Sequence, residues 1–143
     1  MKVAMLIVSA LLFAAPAAAQ LSPAEKTMRA TVNAEAGRHE ALLQKLVEQN
    51  SGTMNPAGVK AVADMLRPEF EALGFAVRWA DMRETGRAGH LIATHKGNGR
   101  GKRMLLIGHL DTVFEPDNPF KGWKREGTEA EGPGSVDMKG GDV

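Results

Sequence analysis

The chain has 143 residues, 18 of them Lys or Arg and 17 Asp or Glu, for a formal charge of +1. So weak a field gives no basis for nucleic acid or an anionic membrane as partner, and 43% apolar with 24% charged residues is the composition of a soluble globular domain. Cysteine is absent, which excludes disulfides, thiolate zinc sites and cysteine nucleophiles.

The first segment reads as a targeting signal. Met1-Lys2 is a short basic start, residues 3–15 are apolar apart from Ser9, and Pro16 precedes Ala17-Ala18-Ala19, a small-residue cleavage pattern before Gln20. Residues 1–19 are therefore expected to be a secretory signal peptide and residues 20–143 the mature domain, secreted or periplasmic, with no membrane attachment once the signal is removed. The rival is a retained signal anchor, although the apolar run falls short of the ~20 residues a spanning helix needs.

Ser22-Pro23-Ala24-Glu25 combines a cap, a proline at the first helical position and a capping-box glutamate. A helix follows, with a patchy apolar stripe of Met28, Val32, Leu42, Leu43, Leu46 and Val47. Gly37 is expected to weaken it enough to allow two helices. Asn55-Pro56 opens a second helix with Val59, Val62, Leu66, Phe70 and Leu73 on one face. Pro68 is expected to kink or shorten it, and Gly74 to stop it. Residues 75–79 and 91–94 read as strands, and the glycine-rich residues 96–102 as a hairpin turn. The continuous apolar run Met104-Leu105-Leu106-Ile107 suits a central strand buried on both faces. Ten of the sixteen glycines lie from Gly97 onward, and Gly140-Gly141 stands two residues from the last residue. The chain is therefore expected to be the front piece of a longer α/β protein.

Two constellations carry chemistry. In Gly108-His109-Leu110-Asp111-Thr112-Val113, His109 and Asp111 are two apart on a strand end and share a face. One imidazole nitrogen can then bind a metal while the other donates to a carboxylate that fixes its tautomer. The plainer alternative is a strand-end histidine beside a surface aspartate. In Gly132-Pro133-Gly134-Ser135-Val136-Asp137-Met138-Lys139-Gly140-Gly141, the carboxylate of Asp137 can bridge two cations about 3.5–4 Å apart; the plainer alternative is a flexible turn with a solvated aspartate. Phosphate-binding patterns fail here, because Gly140 follows Lys139 and Asp137 stands where the dinucleotide fingerprint needs a small residue. His39 reads as solvated surface, His90 and His95 flank the second strand and join neither constellation, Trp79 and Trp123 read as packing, and Lys121, Lys124 and Arg125 as a solvated face.

Together the two segments resemble the zinc-dependent exopeptidase and amidohydrolase family that includes glutamate carboxypeptidase, aminoacylase and succinyl-diaminopimelate desuccinylase. Asn50-Ser51-Gly52-Thr53 resembles the glutamate carboxypeptidase branch, and the similarity runs from about Glu40 to the last residue. The resemblance implies the N-terminal part of a mixed-sheet, phosphorylase/hydrolase-like α/β catalytic domain. It also implies His109 and Asp137 as zinc ligands, with Asp137 bridging two zinc ions in the intact parent. Asp111 would be the catalytic-site residue that orients His109, and the Asp137–Met138 peptide bond is expected to be cis. The implied reaction is hydrolysis of an amide bond in a peptide or N-acyl amino acid by metal-activated water. The family's Glu-Glu pair, its base and a further ligand, is absent from these 143 residues, and so is its dimerisation domain. The chain as given is therefore expected to be inactive, and homodimerisation to belong to the intact parent. The rival functions are a non-catalytic exported α/β domain that binds a partner through an unfinished sheet edge, and a secreted single-zinc module.

Overall fold

The computed structural model describes residues 20–143, so the signal-peptide segment, residues 1–19, lies outside the described residues. It is a mixed α/β structure with two helices and two small antiparallel sheets. The chain divides at Ala34–Glu35 into two units, and the site and the core belong to the second. Among the described residues no helix is long and apolar enough to cross a membrane.

Helix α1 spans Pro23–Glu48. Its capping box forms in both directions: the Glu25 amide donates to Ser22 Oγ at 3.3 Å and the Ser22 amide to Glu25 Oε2 at 2.7 Å. The helix passes through Gly37 without a break. A mid-helix glycine costs about 1 kcal/mol relative to alanine, which is too little to interrupt a helix capped at its start and packed at its end. Of the expected stripe only the C-terminal part is covered. Met28 and Val32 are exposed, whereas Leu46 and Val47 are buried.

Helix α2 spans Pro56–Ala72, with Asn55 as its cap accepting from the Gly58 amide at 3.1 Å. It also runs on past Pro68. An interior proline costs about 3 kcal/mol, but each large apolar side chain the helix buries returns about 1.5–3 kcal/mol. The buried face carries Val59, Val62, Ala63 and Leu66. The helix ends where expected: Gly74 has φ of +83°, its amide donates to Glu71 O, and the Phe75 amide donates to Phe70 O. The Phe70 and Phe75 rings meet edge-on, closing the apolar side of that stop.

Strands β1 (Ala76–Asp81) and β2 (Gly89–Thr94) pair antiparallel with Trp79 opposite Leu91, and both pack on α2. Leu46, Val62 and Leu66 form the buried centre, with Leu42, Met65, Phe70, Leu91 and Leu110 against it. Two expectations are corrected here. Residues 96–102 do not turn a hairpin, because β2 pairs back to β1. Residues 104–107 are not a buried strand: they join no sheet, and Met104, Leu105, Leu106 and Ile107 are 80–88% exposed. An apolar run states that a segment gains from burial, but nothing among the described residues packs against either of its faces. A short hairpin, β3 (Lys124–Glu126) with β4 (Glu129–Glu131), is fully exposed, as the solvated reading of Lys124 and Arg125 requires.

Candidate functional site

The polar loop between α1 and α2 grips the segment that follows residues 104–107. The Thr112 amide donates to Ser51 O at 2.9 Å and the Thr53 amide to Thr112 O at 3.0 Å, a single parallel bridge between Gly52 and Thr112. Asn50 Nδ2 donates to Phe114 O, and the Met54 amide to Glu115 Oε1. These bonds fix the backbone on which His109 and Asp111 stand.

His109 is held between two acidic residues. Nδ1 lies 2.9 Å from the Asp111 carbonyl oxygen and 3.3 Å from its Oδ1, and Nε2 lies 2.8 Å from Asp137 Oδ1. Asp111 is itself held, since Thr53 Oγ1 donates to its Oδ2 at 2.6 Å. Burial alone would lower the pKa of His109. The hydrogen bonds to Asp137 and to the Asp111 carbonyl, with the negative charge of both side chains, outweigh it, so the pKa lies above the ordinary value. The structure thus brings His109, Asp111 and Asp137 together, although Asp137 comes from a loop 28 residues further on. The Asp137–Met138 peptide bond is cis.

The donor set suits a divalent ion. With Nδ1–H donating to Asp111, Nε2 has a lone pair to offer a cation once the proton it shares with Asp137 is given up. An imidazole nitrogen and a carboxylate oxygen are donor types that a zinc ion takes. Among the described residues no group of three or more His, Cys, Asp or Glu side chains converges as a metal cage. What the described residues bring together is one imidazole and two carboxyl groups. Beside them lies a cleft of about 400 Å³ whose lining includes Thr53, Phe114, Phe120 and Val136. The Phe114 and Phe120 rings meet at 5.1 Å and form its apolar wall.

Three residues near the site were not singled out by sequence reasoning. Thr53 appeared only within a family-like stretch, and nothing local marks it as the partner of Asp111. Lys139 is fully buried, with Nζ donating to Leu46 O at 2.6 Å and Gln49 O at 2.8 Å. Burial pushes its pKa down to about 8. Asp142 lies against Gly108, where an added Cβ would strike its Oδ1, and its Oδ2 is buried with no hydrogen-bond partner among the described residues. Burial raises its pKa to about 6, with the charge of His109 pulling the other way. His90 and His95 lie on the exposed surface, away from the cleft.

No protein-family model matches the chain. Over 102 residues it is 35% identical to Carboxypeptidase G2 of Pseudomonas sp. (strain RS-16). The similarity is to a carboxypeptidase. The aligned stretch covers 71% of this chain and 24% of that protein, so the chain spans about a quarter of the length of the relative it matches. At the level of reaction class the likeness is to a hydrolase, and it reaches this chain over a partial region.

Proposed function

We propose that residues 20–143 are the N-terminal part of the catalytic domain of an exported, zinc-dependent hydrolase of carboxypeptidase type, with residues 1–19 as its secretory signal. The observation that carries this reading is the His109 imidazole set between Asp111 and Asp137, with Nε2 2.8 Å from the Asp137 carboxylate. The likeness to Carboxypeptidase G2 supports the reaction class. The substrates would be peptides or N-acyl amino acids, cleaved at the amide bond. The intact parent would hold two zinc ions and form a homodimer.

In this reading His109 contributes Nε2 and Asp137 a carboxylate as ligands, Asp137 bridging to the second ion. Bound zinc would supply a lowered water pKa and polarisation of the scissile carbonyl. The chain's own residues supply orientation. Thr53 donates to Asp111, and Asp111 accepts from Nδ1–H of His109, so with a metal bound the imidazole would keep the tautomer that leaves the Nε2 lone pair for the ion. The Phe114–Phe120 wall would offer an apolar surface to an apolar side of the substrate. The cleft lining contains no glutamate to act as base. The chain by itself is therefore expected to bind at most one zinc loosely and to hydrolyse nothing.

Calorimetric zinc titration tests this. One weak site that disappears in His109→Ala and in Asp137→Asn is the expected result. Zinc uptake unchanged by both substitutions would sink the metal reading, and two tight zinc ions per chain would sink the partial-site reading.

One observation favours a second reading, a non-catalytic exported domain that binds a partner. Residues 104–107 present four large apolar side chains to solvent, and an unpaired apolar segment is an association surface.

A further inference from the structure

Asp137 reaches His109 from a glycine-rich loop, and its side chain is 82% exposed. Among the described residues its only side-chain hydrogen bond is to His109. Its place must therefore be set through the backbone, which is packed closely at Gly132 and Gly134 before it and held at Lys139 after it. A Cβ at Gly132 would strike both Val47 and Gly122. Lys139 stands two residues beyond Asp137.

The Lys139 ammonium enters the protein at the C-terminal end of α1 and donates to Leu46 O and Gln49 O, partners 93 and 90 residues away in sequence. Leu46 lies in the last turn of α1, whose carbonyls lack partners inside the helix, and this is the negative end of the helix dipole. The Lys45 carbonyl is already taken by the Gln49 amide. A long side chain ending in a cation with several protons meets both remaining needs at once, charge and donors. An apolar residue of the same length would leave the buried Leu46 carbonyl and the half-buried Gln49 carbonyl without this donor.

We propose that Lys139 is a positioning residue: its ammonium, closed over the end of α1, holds the loop that carries Asp137 so that the carboxylate faces His109 Nε2. The inference deepens the reading of His109 and Asp137 as metal ligands and rests on it for its functional meaning. In that picture the end of α1 is a structural part of the site although none of its residues touches the cleft chemistry.

The absence of cysteine from the chain permits a clean test. Lys139→Met keeps the stem and deletes the charge. Lys139→Cys, alkylated in denaturant with bromoethylamine and refolded, restores an ammonium at nearly the original reach. The first readout is the ring-nitrogen NMR signature of His109 in the metal-free chain, and the second is zinc affinity by titration. The Met variant should keep wild-type helical circular dichroism, lose the Nε2–Asp137 signature, and bind zinc at least about tenfold more weakly. The aminoethylated variant should recover both. A Met variant that is folded and retains the His109 signature overturns the proposal. A wild-type chain with the signature but no zinc uptake sinks the metal reading alone, and the metal-free readout still judges Lys139. Should the Met variant fail to fold, hydrogen exchange on the wild-type chain decides. Amides of residues 135–141 opening together with those of residues 46–49 support the strut, and loop amides that open while the helix end stays closed overturn it.

Discussion

Asp142 shows how a single buried group sets a pH dependence. Its carboxyl has a pKa of about 6 in the folded chain against an ordinary 3.8, because burial opposes the charge and Oδ2 finds no partner. The folded state therefore holds a proton that the unfolded state has already lost between those values, and stability falls as pH rises across that interval. Above about pH 6 the full penalty applies. Asp142→Asn removes the charge and should stabilise the chain by about 1–2 kcal/mol at pH 7, less than the full shift implies because the group is only half-buried, a gain that vanishes near pH 4. Urea unfolding of the two proteins at both pH values checks this, and an equal gain at both would refute the charge origin. The residue scale also shows the limit of motif reading. His109, Asp111 and Asp137 were singled out by the resemblance of their two segments to a known family, since spacing alone left a surface pair and a solvated turn open; the structure brings the three side chains together. Lys139 and Asp142 sit beside them in sequence, yet their roles depend on α1 and on Gly108, which no local pattern connects to them.

At the scale of elements, helix ends were legible and interruptions were not. Ser22, Asn55 and Gly74 act through bonds to neighbours three to five residues away, so their effect is written locally. Gly37 and Pro68 should each weaken a helix by themselves, but the burial of α2 against β1 and β2 outweighs Pro68, and nothing near Gly37 turns its modest cost into a break. The two helical glycines therefore predict opposite outcomes. Gly37 has no neighbour within 4 Å, so Gly37→Ala should stabilise by up to about 1 kcal/mol. At Gly58 an added Cβ would strike the Asn50 carbonyl and the Asn55 side chain. Gly58→Ala should cost about 1–3 kcal/mol despite its better helix propensity. Denaturant midpoints of the pair test the claim that the α1–α2 loop, which also carries Thr53, is packed too closely to accept one methyl group. Strand pairing was the misread level. Residues 91–94 have apolar segments on both sides in sequence, and the choice of residues 76–81 as partner was made by α2, which covers both strands.

For the molecule as a whole, the exposed run at residues 104–107 is the feature with the largest consequence. Burying a side chain of this size is worth about 1.5–3 kcal/mol, so four together drive association unless something covers them. The chain should self-associate with rising concentration. Leu105→Lys with Ile107→Lys should raise the concentration at which association begins by about tenfold or more. Sedimentation velocity across a concentration series reads this directly, and a wild-type chain that stays monomeric throughout would remove the support for a partner-binding role. The sequence by itself determined the helices, their ends and the residue types able to hold a divalent ion, because each of these depends on chemistry within a few residues. Tertiary structure alone decided which strand pairs with which, whether the apolar run is covered, and which buried cation meets the end of α1. Those outcomes depend on surfaces that meet only after the chain has folded back across tens of residues.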